Sequence, residues 1–162
     1  MAVRSQHAGG PPAVLIATPL GALLRITAND GAVVGASFTP SGRRQSARIT
    51  HPVLREAAAE VRAYFTKRLR RFSVPLQFDG TPLQRDAWNL VASLRFGDVV
   101  SYADVARAIG RPLAHRGVAA AMRASPIDFF IPAHRVVGAD GKPRGCSPRS
   151  IRARLLAFEA KA

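Results

Sequence analysis

The strongest nucleophile this chain offers is a single thiol, Cys146, flanked in sequence by Arg144 and Arg149. A thiolate is the reactive form of cysteine, and nearby cations could lower its pKa. One cysteine excludes an internal disulfide and any multi-cysteine zinc site. His7, His51, His115 and His134 show no metal-ligand spacing, so neither a metal nor another cofactor is expected. A second kind of chemistry is recognition rather than bond making. The stretch Arg116-Gly117-Val118-Ala119-Ala120-Ala121-Met122 places a long cation beside a run of small residues. A helix built this way could lie close to a DNA groove while an arginine or an apolar side chain enters the base stack. The same small residues could instead pack tightly against another helix.

Charge favours the first of these uses. The formal net charge is +14, from 24 Lys+Arg against 10 Asp+Glu. A polyanion is therefore the expected partner, because phosphate contacts release counterions and supply most non-specific affinity. All but three of the basic residues (Lys67, Lys142 and Lys161) are arginine, so part of the excess could instead reflect genome base composition. With 162 residues and 48% hydrophobic content the chain can bury a core, as one domain or two small ones. No apolar stretch approaches the ~20 residues of a membrane span. Met1 to Gly10 has no apolar segment of the secretory kind. The expectation is a cytoplasmic monomer.

The elements that must position these groups follow from patterning. Val14 to Ala17, Leu23 to Ala28 and Ala32 to Phe38 read as short strands, with Asn29-Asp30-Gly31 as a hairpin turn. Thr39 to Arg48 is polar and basic and suits a loop. Leu54, Ala58, Val61, Phe65 and Leu69 recur at helical spacing behind Thr50 and Pro52. Ser73 to Gly80 reads as an extended linker and the boundary between domains at 1–75 and 80–162. Beyond it, Thr81-Pro82 with Gln84 makes a capping box, as does Ser101 with Asp104. The helix from Ser101 stops at Gly110, Arg111-Pro112 turns the chain, and a further helix runs from about Leu113 to Ala124. Ser125-Pro126 must end it, because a residue before proline is pushed out of the helical region. Ser147 and Pro148 start a last helix, apolar at Ile151, Leu155 and Phe158. The fold class is α/β of the α+β kind: a small strand-rich N-terminal domain with a helix, then a helical DNA-binding domain with a helix-turn-helix.

From Gly80 to Glu159 the sequence resembles the 6-O-alkylguanine-DNA alkyltransferases. The matches include Gln84, Trp88, Gly97, Ser101-Tyr102, Gly110, Pro112, Arg116, Ala121, Pro126, Pro132, His134-Arg135-Val136-Val137, Leu155-Leu156 and Glu159. Thr18-Pro19-Leu20-Gly21 and Tyr64-Phe65 resemble the family's smaller domain. Where that family has Pro-Cys-His-Arg-Val, this chain reads Pro132-Ala133-His134-Arg135-Val136. A methyl group has no lone pair and no ionisable proton, so Ala133 cannot accept an alkyl group.

The resemblance implies a role for each matched residue. Arg116 would fill the gap left by an extruded nucleotide, Tyr102 would press on the neighbouring phosphate, and Ala121 and Arg123 would touch the DNA. The base would lie against Tyr102 and Met122, read by the backbone carbonyls of Ala133 and Val136, under a loop carrying Cys146 and Ser147. His134 and Glu159 match the pair that draws a proton from the family's thiol, and without a thiol they become a structural hydrogen-bond pair. Ser125 stands where the family has an asparagine pinning the turn at Pro126. Cys146 stands where a tyrosine is common, and Pro148-Arg149 replaces a glycine pair. The implied partner is double-stranded, alkylated DNA, with other repair proteins downstream, as for the alkyltransferase-like group that also lacks the cysteine. Two alternatives stay open: a methyltransferase acting through Cys146, and a general DNA-binding regulatory protein. Against the latter, the helix from about Leu113 offers no Asn, Gln or paired Arg groups to read major-groove edges.

Overall fold

Residues 9–40, 48–144 and 150–161 are described by the structure, a computed structural model. Three antiparallel strands, β1 (Ala13–Ala17), β2 (Leu23–Ala28) and β3 (Val33–Thr39), form a sheet in sequence order. The central strand β2 is buried at every residue but Arg25, which is why its apolar run is nearly continuous. The turn into β3 is set by Asn29, whose Oδ1 accepts from the backbone N–H groups of Gly31 and Ala32 at 3.0 and 2.8 Å. Helix α1 (Pro52–Phe65) starts with proline in its first turn and lays Val53, Leu54, Ala57, Val61 and Tyr64 into the core. It ends before Leu69, short of the sequence expectation. Lys67 takes a φ of 59° there, and the N–H groups of Arg68 and Leu69 both turn back to the Ala63 carbonyl.

The segment from Ser73 to Gly80 is extended, and it is fastened to its neighbours. Val33 of β3 donates to the Pro75 carbonyl and accepts from the Gln77 N–H. The buried Glu60 carboxylate accepts from the N–H groups of Ser73 and Val74 and from the Ser73 hydroxyl. Further along, β3 also holds residues 126–128: Ala36 donates to the Pro126 carbonyl and accepts from the Asp128 N–H. One strand edge therefore anchors both this connection and the turn at residues 126–128.

Helix α2 (Pro82–Ala92) and helix α3 (Tyr102–Ala108) both carry the capping boxes read from sequence. Helix α4 (His115–Arg123) begins two residues later than expected, leaving Leu113 91% exposed in the turn. Helix α5 (Ile151–Ala160) is capped by Ser150, whose hydroxyl accepts from the Ala153 N–H; the expected start at Ser147-Pro148 lies outside the described residues. Two-residue strands β4 (Val100–Ser101) and β5 (Val136–Val137) pair in parallel. They are too short for any periodicity to announce.

An aromatic cluster joins the two halves. Tyr64 and Phe65 of α1 meet Phe129 at centroid distances of 4.7 and 5.7 Å, and Tyr64 meets Phe96 and Phe158 at 5.3 and 5.6 Å. Phe129 has a φ of 77°, a left-handed conformation that a bulky residue holds only when its surroundings impose it. The packing of Phe129 is what imposes it, and the tight turn leads directly to Pro132 and Ala133. Among the described residues no helix is long and apolar enough to cross a membrane.

Candidate nucleic-acid interface

Helices α3 and α4 meet as a helix-turn-helix around Gly110-Arg111-Pro112 and both pack on α2. The two readings of the small residues on α4 divide by face. Val118, Ala121 and Met122 are buried, and a side chain at Gly117 would meet the Leu83 Cδ1 of α2 at 3.2 Å. The Ala121 carbonyl accepts from Trp88 Nε1 at 2.9 Å. The Ala121 side chain, expected at the DNA, is 1% exposed in the protein. Arg116, Ala120 and Arg123 are exposed and His115 lies beside them. Small residues between cations let a groove approach the helix backbone on this side.

That side opens into a cavity of about 760 Å³ whose walls include Tyr102, His115, Arg116, Ala119, Arg123 and Arg144. Tyr102 is buried, and its hydroxyl accepts from the backbone N–H of Arg144 at 2.7 Å. Its own proton remains available to an acceptor in the cavity. Val136 and Met122 are buried behind this wall. Cys146 and Ser147 lie outside the described residues.

The turn of 3-10 helix at Ala133–Arg135 places Ala133, 3% exposed, at the end of a buried ionic network. Glu159 of α5 is its centre. Glu159 Oε1 accepts from Tyr64 Oη at 2.8 Å, His134 Nε2 at 2.8 Å and Arg135 Nη2 at 2.8 Å. Glu159 Oε2 accepts from Arg135 Nε at 2.9 Å and the Gly97 N–H at 3.1 Å. Arg135 spends its remaining reach on the Leu94 carbonyl. Burial by itself would raise the Glu159 carboxyl, but the His134 and Arg135 hydrogen bonds outweigh it and hold the group at about 2. Burial pushes His134 below the usual imidazole range, against the pull of Glu159. Arg135 already neutralises the carboxylate, so a second buried cation would be uncompensated and His134 is the neutral, Nε2-protonated donor. Burial, followed by the Glu159 charge and hydrogen bond, raises the Tyr64 phenol well above its ordinary range.

A second cavity of about 250 Å³ touches Ala133 and His134 and is walled by Phe38, Phe129, Leu155 and Arg152. Arg152 fixes its rim by donating to the Met122 carbonyl at 2.7 Å and to Asp128 at 3.1 Å. Ser125 Oγ is buried without a hydrogen-bond partner among the described residues, and Pro126 holds β3 through its carbonyl. Sequence reasoning missed Tyr64, Arg135 and Arg144 as parts of these sites. The presence of an arginine inside a Pro-Ala-His-Arg-Val-Val run was the one available signal for Arg135, since a charge embedded among apolar residues needs a buried partner. Among the described residues no group of three or more His, Cys, Asp or Glu could hold a metal ion.

The helix pair, with Arg116 and Arg123 exposed on α4, is the arrangement of a DNA-binding protein. The family model for the 6-O-methylguanine DNA methyltransferase DNA-binding domain matches residues 82–161. The methylated-DNA–protein-cysteine methyltransferase of Methanosarcina acetivorans is 39% identical over 106 residues, 65% of this chain and 68% of that protein. The constitutive one of Bacillus subtilis is 37% identical over 110 residues, 67% of each. In structure the chain is similar to Mycobacterium tuberculosis OGT crystallised with DNA, with a TM-score of 0.78, 28% identity and 92% of each chain covered. The chain belongs to the methylated-DNA–protein-cysteine methyltransferase family.

Proposed function

We propose that this protein binds alkylated guanine turned out of duplex DNA and holds it without taking the alkyl group. The observation that supports this reading is Ala133, buried at the head of the Tyr64–Glu159–His134–Arg135 network, at the position that the resemblance gives to an acceptor cysteine. On this reading the frame that would orient a nucleophile is kept and the methyl side chain of Ala133 offers none. Residues 80–162 would read the DNA, through Arg116 in the gap of the extruded nucleotide, Arg123 on the backbone and Tyr102 at the base pocket. Backbone carbonyls at Ala133 and Val136 survive a change of side chain, so they could still read the guanine amino group. Residues 1–75 would support the turn beneath, since β3 bonds both flanks of Asp128's neighbourhood. The bound lesion would then be passed to other repair proteins by a monomer.

Equilibrium binding to a duplex with one 6-O-methylguanine and to its undamaged counterpart tests this. Tighter binding of the damaged duplex is expected, and equal affinity would leave only a general DNA-binding protein. A second reading, alkyl transfer to Cys146, draws support from Arg144, which lines the cavity two positions earlier in the chain. Intact mass after incubation with the damaged duplex decides between the two, because a transferred methyl adds about 14 Da to the protein.

A further inference from the structure

We propose that Arg144 and Tyr102 form an anion subsite at the mouth of the base pocket, which holds an anionic oxygen group of damaged DNA. The group is either a phosphate next to the extruded nucleotide or a carboxylate carried by the lesion itself. This rests on the reading that the cavity receives damaged DNA.

Three observations converge on the subsite. Arg144 is exposed on the cavity wall and, like Arg116 and Arg123 on the same wall, makes no ion pair among the described residues. Its backbone is anchored, because its N–H donates to the Tyr102 hydroxyl at 2.7 Å. The phenol thereby keeps its own proton for an acceptor in the cavity, whose wall the Arg144 side chain shares. Its side chain is placed as well: the guanidinium lies across Gly138, where a Cβ would come within 2.7 Å of Arg144 Nε and 3.0 Å of Cζ. Only a residue without a side chain lets the planar group rest there.

The surroundings decide the charge of the ligand. Arg116 and Arg123 face the same cavity from α4, and no carboxylate among the described residues lines it. A planar guanidinium with a neighbouring hydroxyl donor suits the geometry of a phosphate or carboxylate, which two donors can grip together. Arg144 sits on the loop behind β5 and not on α4, so it reaches the cavity from a different element than Arg116 does.

The test measures affinity against salt for three duplexes, undamaged, 6-O-methylguanine and 6-O-carboxymethylguanine, with the full chain and the variants Arg144→Ala and Gly138→Ala. If the anion is a backbone phosphate, Arg144→Ala weakens all three and lowers the salt slope by about 0.9. If it is the lesion's carboxylate, the loss is confined to the carboxymethyl duplex and reaches ten-fold or more. Gly138→Ala keeps the charge but displaces the guanidinium, and should reproduce the same pattern in weaker form. Unchanged affinities and slope for Arg144→Ala on all three duplexes, with a thermal midpoint like that of the parent, would overturn the subsite. The underlying reading fails differently, by the unmodified protein not distinguishing methylated from undamaged DNA.

Discussion

Replacing Glu159 with glutamine removes one charge from a buried site, where Glu159 is only 4% exposed. Glu159 gathers Tyr64, His134, Arg135 and the Gly97 N–H, and the substitution leaves the Arg135 guanidinium buried without a counter-charge. Removing one partner of a buried ion pair costs about 3–5 kcal/mol. The ionisation of Glu159 gives an independent figure. Its pKa falls from 4.5 to about 2 on folding, which corresponds to about 3 kcal/mol of stability. Because folding depresses this carboxyl, that stability is complete above 4.5 and is lost as the pH falls toward 2. Glutamine imitates the protonated acid, so Glu159→Gln should be about 3 kcal/mol less stable than the parent at neutral pH, a fall of roughly 6–12 °C in thermal midpoint. The deficit should close as the solution is acidified below pH 4.5. Urea unfolding at a series of pH values, with unchanged m, reads it directly. A neutral-pH deficit below about 1 kcal/mol, or one that stays constant into acid, would refute the assignment of Glu159 as the charged centre of the network.

Four further outcomes follow from the same contacts. His134 is held neutral by burial, so folding opposes its protonation and stability should decline as the pH falls below its ordinary 6.5; His134→Gln should flatten that decline in urea titrations between neutral pH and the point where Glu159 begins to protonate. Tyr64→Phe keeps the ring in the aromatic cluster but withdraws the hydroxyl from a buried carboxylate, and should cost about 1.5–3 kcal/mol by the same unfolding measurement. Arg116→Ala should weaken damaged duplex by roughly ten-fold, about 1.4 kcal/mol, and undamaged duplex by less; an equal loss on both would make it a plain phosphate contact. Ala133→Cys places a thiol beside His134 and should acquire a methyl group from damaged DNA in a mass assay, more slowly than when Ser125→Asn is added to give the turn its missing hydrogen-bond partner.

The local architecture was legible in the sequence wherever the signal was short-range. Thr81 with Gln84 and Ser101 with Asp104 mark their helix starts because a hydroxyl and an acid or amide three residues on satisfy each other's backbone donors. The strand pattern and the Asn29 turn were equally plain. The end of α1 was not, since the apolar spacing continues to Leu69 while the chain turns left-handed at Lys67. Long-range pairings left still less trace. Tyr64 and Glu159 lie 95 residues apart and meet only because the aromatic cluster docks α1 against α5. Ala121 looked like part of a DNA-facing run because residues one apart on a helix share a composition but not a face; only the position of α2 shows that it turns inward. Arg144 had no pattern of its own, and its place depends on a glycine six residues earlier and a tyrosine from another helix.

Recognition without transfer is tested most directly by native mass spectrometry of the protein mixed with equal amounts of methylated and undamaged duplex. The expected spectrum has the protein predominantly on the methylated duplex, still carrying its methyl, and releases a protein of unchanged mass. A protein heavier by about 14 Da, or one shared equally between the two duplexes, would contradict the account.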